Sequence, residues 1–230
     1  MENNKITYII LSEKSWNQDL VRNLSYKSNQ INWVFINKRS DFNIGNLDSI
    51  NPVKIFIPHW SYIIPDEIFE KYECVVFHMT DLPFGRGGSP LQNLIVLGKE
   101  ETKISALKVV KELDAGPIYL KNKLSLNGTA DEIFIRANSI IELMIIEIVN
   151  KELEPYEQKG VVVHFKRRKP KDSNIINLKN IKDIYNYIRM LDAEGYPKAF
   201  IENEYFKFEF SNATVKDGEE IKAEIRIIKK

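Results

Sequence analysis

The chain has 230 residues, of which 43% are apolar and 28% charged, with 10 Gly and 9 Pro. That supplies a core for one ordinary domain, or a domain with a small appendage, and excludes a disordered, collagen-like or low-complexity chain. The 33 basic and 32 acidic side chains leave a formal charge of +1, which gives no bulk reason to expect nucleic acid or an anionic membrane as the main partner. One cysteine, Cys74, cannot form an internal disulfide, and the N-terminal residues run into strand-like sequence without a signal-peptide pattern. The most apolar stretch, 133–149, is broken by Arg136, Glu142 and Glu147, so no membrane span is expected and the protein reads as cytoplasmic.

In chain order, residues 6–11 read as a buried strand and 16–24 as a short helix, with further strands at 33–36 and 54–58. Pro65, Asp66 and Glu67 open a helix with residue types that suit its unpaired amides and dipole. Residues 74–78 form another strand. This alternation predicts an α/β fold: a Rossmann-like, mostly parallel sheet with flanking helices. Residues 81–90 read as a turn-rich loop, and helical spacing resumes at Leu91, Leu94 and Ile95. Strand-like runs at 104–110 and 118–126 are separated by Asp114-Ala115-Gly116-Pro117. Thr129 and Glu132 make a capping box, and Ile133, Ala137, Ile140, Ile141, Met144, Ile145 and Ile148 follow at helical spacing. A strand at 161–165 precedes the basic run 166–171, where a boundary is placed: 1–165 as the main domain and 166–230 as a small α+β subdomain. The latter shows a helix at 181–191 and strands near 205–210 and 221–228.

Ligands in open α/β sheets bind beyond the carboxyl ends of strands, which singles out His78 and, more weakly, His59. His164, inside an alternating strand, reads as structural. The glycines of the loop at 85–88 permit close backbone approach to a ligand, but they match neither dinucleotide nor phosphate-loop spacing, and a plain rigid turn explains them as well. Asp114 is held by a turn where partial burial would make it a useful base, although an isolated Asp-Ala-Gly is more often an ordinary turn. One cysteine and three scattered histidines give no metal-ligand spacing.

Three blocks in order, His78-Met79-Thr80-Asp81-Leu82-Pro83, Arg86-Gly87-Gly88-Ser89-Pro90 and Leu113-Asp114-Ala115-Gly116-Pro117-Ile118, resemble the signature of the 10-formyltetrahydrofolate-dependent formyltransferases. The resemblance covers residues 53–171 well and the first fifty by pattern alone. It implies a Rossmann-like fold, 10-formyltetrahydrofolate as co-substrate, and His78 and Asp114 as the catalytic pair, to which Thr80 is added as a candidate. Folate would lie against Thr80, Asp81, Leu82 and Pro83, and the acceptor would meet Arg86, Gly87 and Gln92. The family's asparagine falls on Val76, which has no donor; Thr80, His59 and Gln92 are the candidates to replace it.

The wording of the loop and of the segment 188–200 resembles most the subgroup acting on nucleotide-linked 4-amino-4,6-dideoxy sugars of the pseudaminic-acid type. A UDP-linked amino sugar is therefore the expected partner, with nucleic acid not expected. An aminoacyl-tRNA, a carrier-bound amino acid, or a silent module binding folate or a nucleotide sugar are the alternatives. The basic run could meet a diphosphate or be a solvated linker. Tyr205, Phe206 and Phe208 would offer a homodimer face if they are not core.

Overall fold

The computed structural model describes residues 5–14 and 17–230; Trp16, which opens the first expected helix, and residues 1–4 lie outside them. The chain divides into two compact units. One comprises Met1–Arg86, Lys103–Leu124 and Ile135–His164, and the other Gly87–Thr102, Ser125–Phe134 and Phe165–Lys230.

The first unit is built on strands β1 (Ile6–Ser12), β2 (Ile31–Ile36), β3 (Lys54–His59), β4 (Glu73–His78), β6 (Glu101–Lys108) and β7 (Ile118–Ser125), a six-stranded sheet in the order β2-β1-β3-β4-β6-β7. Strands β2, β1, β3 and β4 run parallel, and β6 joins β4 antiparallel with His78 opposite Ser105. The parallel strands are continuous apolar runs because helices cover both faces of such a sheet; Ile9, Ile10, Leu11, Ile55, Phe56 and Ile57 are all buried. Helix α1 (Asn17–Lys27) places Leu20 and Leu24 one turn apart on its buried face, with Asp19 in the first turn and Lys27 in the last, each suiting the helix dipole. Helix α2 (Ile44–Ile50) was not expected. Gly45 and Asn46 blur its apolar spacing, but Asn43 caps it by accepting from the Asn46 amide at 3.0 Å, and Asn51 ends it in the left-handed region. Helix α3 (Asp66–Phe69) is a single turn entered through Pro65.

Helix α5 (Ala130–Lys151) begins at the expected capping box: the Thr129 amide donates to Glu132 at 2.8 Å, and the Glu132 amide donates to the Thr129 hydroxyl at 3.3 Å. It buries Ile141, Met144, Ile145 and Ile148, and Glu142 accepts from Asn23 and Lys27 of α1 at 3.0 and 2.6 Å. No helix among the described residues is long and apolar enough to cross a membrane.

Two short strands, β5 (Phe84–Gly87) and β8 (Val163–Phe165), pair with each other. The stretch 81–90 is therefore partly a strand and not all loop, because β8 supplies the edge its backbone needs. Residues 161 and 162, expected in the strand, precede it.

In the second unit, β9 (Ala199–Glu202), β10 (Phe206–Lys216) and β11 (Glu220–Lys229) form an antiparallel sheet in the order β11-β10-β9. Asp217 and Gly218, both at positive φ, close the hairpin between β10 and β11. Strand β9 was not expected, being only four residues. Helix α4 (Pro90–Val96) contacts α6 (Ile181–Arg189), and Asn180 caps α6 by accepting from the Asp183 amide at 2.8 Å. Buried Arg189 donates to the carbonyls of Leu126 and Gly128 at 2.6 and 2.8 Å, which ties 125–134 into this unit.

Candidate active site

Strands β3 and β4 pair in register and finish at the same edge of the sheet, on His59 and His78. The His78 imidazole is 7% exposed, and its Nε2 lies 2.8 Å from the Gly85 carbonyl oxygen. A carbonyl oxygen only accepts, so Nε2 carries the hydrogen, and a neutral ring then has its lone pair on Nδ1. That Nδ1 lies 3.6 Å from Asp114 Oδ1, with both side chains about nine-tenths buried. The distance is longer than a hydrogen bond and within the reach of an ion pair were the ring protonated.

Asp114 sits in the turn between β6 and β7 at φ +54°, a left-handed conformation that aspartate tolerates better than most residues. The turn cannot drift. A Cβ on Gly116 would stand 1.8 Å from the Lys108 carbonyl oxygen, so only glycine permits the backbone to press so closely on β6.

Gln158, in the irregular segment after α5, donates from Nε2 to the carbonyls of Asp114 and Gly116, each at 2.8 Å. Its Oε1 accepts from Arg86 Nε and Nη2 at 3.2 and 2.9 Å, and Arg86 Nη1 donates to Glu112 at 3.0 Å. Carbonyls only accept and a guanidinium only donates, so this network fixes the orientation of the amide uniquely.

Thr80 is fully buried; its hydroxyl donates at 3.5 Å to the same Gly85 carbonyl that His78 uses, and its own carbonyl accepts from Ser105 at 2.7 Å. The Asp81 carboxyl is partly desolvated, which raises its pKa, but hydrogen bonds from Lys121 and Lys103 outweigh this and hold it below the ordinary value. Leu82 is buried in an apolar cluster with Leu107 and Ile118, while its carbonyl accepts from Lys121. Pro83 is buried, and its carbonyl accepts from the Val163 amide at 3.2 Å.

The structure brings His78, Thr80, Asp114 and Arg86 together in the first unit. Gly87 and Gln92 belong to the second, where Gln92 Nε2 donates to the Met190 carbonyl at 3.3 Å. Val76 pairs with Ile57 and Leu107 and packs against the apolar clusters on β4, so its side chain serves the core. His59 is pushed down to about 4 by burial, then by the positive Lys14 nearby, and is neutral at physiological pH. His164 is exposed on β8. In the basic run, Arg168 stacks on Tyr187 at 5.0 Å and its amide donates to Ser89, while Lys166, Arg167, Lys169 and Lys171 are exposed. Tyr205 and Phe206 are exposed and Phe208 is half-buried.

Sequence reading missed two site residues. Ser105 bridges Thr80 and the Leu82 amide, and its signal was a lone hydroxyl inside an apolar run. Gln158 gave no signal, because it lies in neither a helix nor a strand.

A profile for the C-terminal domain of methionyl-tRNA formyltransferases matches residues 170–228. The solved methionyl-tRNA formyltransferase from Clostridium thermocellum is 48% identical, with a TM-score of 0.95, over 98% of this chain and 100% of that one. Methionyl-tRNA formyltransferases from Malacoplasma penetrans and Thermotoga maritima are 28% and 29% identical over 70% and 76% of this chain, covering 54% and 58% of their own lengths. The chain thus spans little more than half the length of these curated relatives. These relatives overturn the expected partners: they are named for a tRNA substrate, against the nucleotide-linked amino sugar and the exclusion of nucleic acid. The loop wording misled because formyltransferases with different acceptors share the chemistry at the formyl carbon. With near-complete mutual coverage at 48% identity, the chain belongs to the formyltransferase family.

Proposed function

We infer that the chain transfers the formyl group of 10-formyltetrahydrofolate to the amine of an aminoacyl-tRNA, methionyl-tRNA by likeness to its relatives. The observation that carries this reading is the 48% identity, over the full length of the solved relative, to a protein named for that reaction. The apposition of His78 and Asp114 supports the chemistry.

The acceptor amine attacks the formyl carbon, a C–N bond forms, and charge collects on the formyl oxygen. His78 donates a hydrogen bond from Nε2 to that oxygen and lowers the barrier to the tetrahedral intermediate. Asp114 takes the proton that the attacking nitrogen sheds. As the intermediate collapses, the bond to the folate nitrogen breaks and that nitrogen recovers a proton from the pair. With Val76 in place of a donor, His78 carries the oxyanion with Thr80 as its nearest hydroxyl neighbour on the Gly85 carbonyl. The exposed Lys166, Arg167, Lys169 and Lys171 suit a phosphate backbone, a local feature that net charge conceals.

Purified protein incubated with 10-formyltetrahydrofolate and methionyl-tRNA should yield formylated methionine on the tRNA, at a rate that falls steeply with salt. Formylation of no aminoacyl-tRNA, while another amine in a panel gains a formyl group, would overturn this reading.

A further inference from the structure

The turn that carries Asp114 offers two carbonyls to one neighbour. Gln158 Nε2 spends both of its hydrogens on carbonyls of that turn, Asp114 and Gly116, while its Oε1 takes two hydrogens from Arg86. All four hydrogen-bonding positions of the amide are filled, an arrangement that only glutamine's mix of donor and acceptor can satisfy here. The segment bearing it is pinned on both sides: Tyr156 exchanges two backbone hydrogen bonds with Ile118, at 2.7 and 2.9 Å, and the Val163 amide donates to Pro83 at 3.2 Å. Arg86 is nearly buried and braced by Glu112, so the far side of the amide is fixed too.

We propose that Gln158 is a positioning residue, which clamps the Asp114–Gly116 turn so that the Asp114 carboxylate faces His78 Nδ1. It acts through the backbone of the turn, whose Asp114 and Gly116 carbonyls take both of its Nε2 hydrogens. The kinetic arm of the test rests on the formyl-transfer reading; the spectroscopic arm does not.

Gln158→Glu is almost isosteric and keeps an acceptor for Arg86, but sets a carboxylate against two carbonyl oxygens. Gln158→Asn, neutral and one methylene shorter, carries the same test if the glutamate variant fails to fold. The readouts are the ¹⁵N resonances of the His78 ring, formyl-transfer kinetics and thermal stability. The expected result is a displaced Nδ1 resonance, a kcat lowered about 10-fold to 100-fold, and a donor KM within about twofold of the parent. An Nδ1 resonance that stays in place in a folded variant overturns the proposal, whatever the rate does. If the parent protein formylates no acceptor while the resonance still moves, the functional reading fails and the positioning role stands.

Discussion

His78 Nδ1 and Asp114 Oδ1 face each other at 3.6 Å, although one closes strand β4 and the other lies in the turn beyond β6. Because His78 Nε2 already donates to Gly85, Nδ1 is the ring nitrogen left to face Asp114. His78→Ala and Asp114→Asn should each lower kcat by about 10²-fold to 10⁴-fold while circular dichroism stays unchanged. The double variant should be little worse than the poorer single one, since the two groups act as a unit. Near-normal turnover in either single variant would refute the assignment.

Gly116 tests the rigidity of the same turn. In Gly116→Ala the new Cβ would meet the Lys108 carbonyl at 1.8 Å, and the obstacle is backbone that cannot rotate away. The substitution should cost about 3 kcal/mol or more and abolish formyl transfer, as read by thermal denaturation and initial rates. Gly98→Ala is the contrast: its Cβ meets nothing within 4 Å, so the loss comes only from its positive φ and should be smaller.

His59 gives the fold a sensitivity to acid. Its folded pKa, about 4, lies below the unfolded value of 6.5, so the unfolded chain binds the extra proton first. The neutral ring's contribution is complete above pH 6.5 and is lost as pH falls from there towards 4, by up to about 3 kcal/mol. Chemical denaturation across this range should show that slope, and His59→Gln should flatten it.

Cys74 should be inert in the folded protein. It is 1% exposed, and burial, then the nearby Glu73 charge, pushes its thiol up to about 12. Iodoacetamide should modify it only after denaturation; labelling of the native protein at pH 8 would show that β4 opens.

Particular residues show what was legible in the sequence. His78 stood out in the sequence because it ends an apolar run, whereas Asp114 by itself read as an ordinary turn residue and was singled out by the resemblance of its Leu-Asp-Ala-Gly-Pro block. The parallel strands were equally plain, since burial on both faces leaves unbroken apolar runs such as residues 55–57. Helix α2 and strand β9 were missed, because caps and pairing partners make them, not periodicity. Gln158 was beyond reach for the same reason. Its meaning lies in four hydrogen bonds to Asp114, Gly116 and Arg86, and nothing beside it in the chain marks it. Gln92, expected to meet the acceptor, has its amide donating to the Met190 carbonyl within the second unit.

The Gly85 carbonyl acts as a resting berth for the imidazole N–H. The Nε2 hydrogen is held against backbone on a buried ring. In the proposed reaction, a formyl oxygen would have to compete with that carbonyl for the same hydrogen.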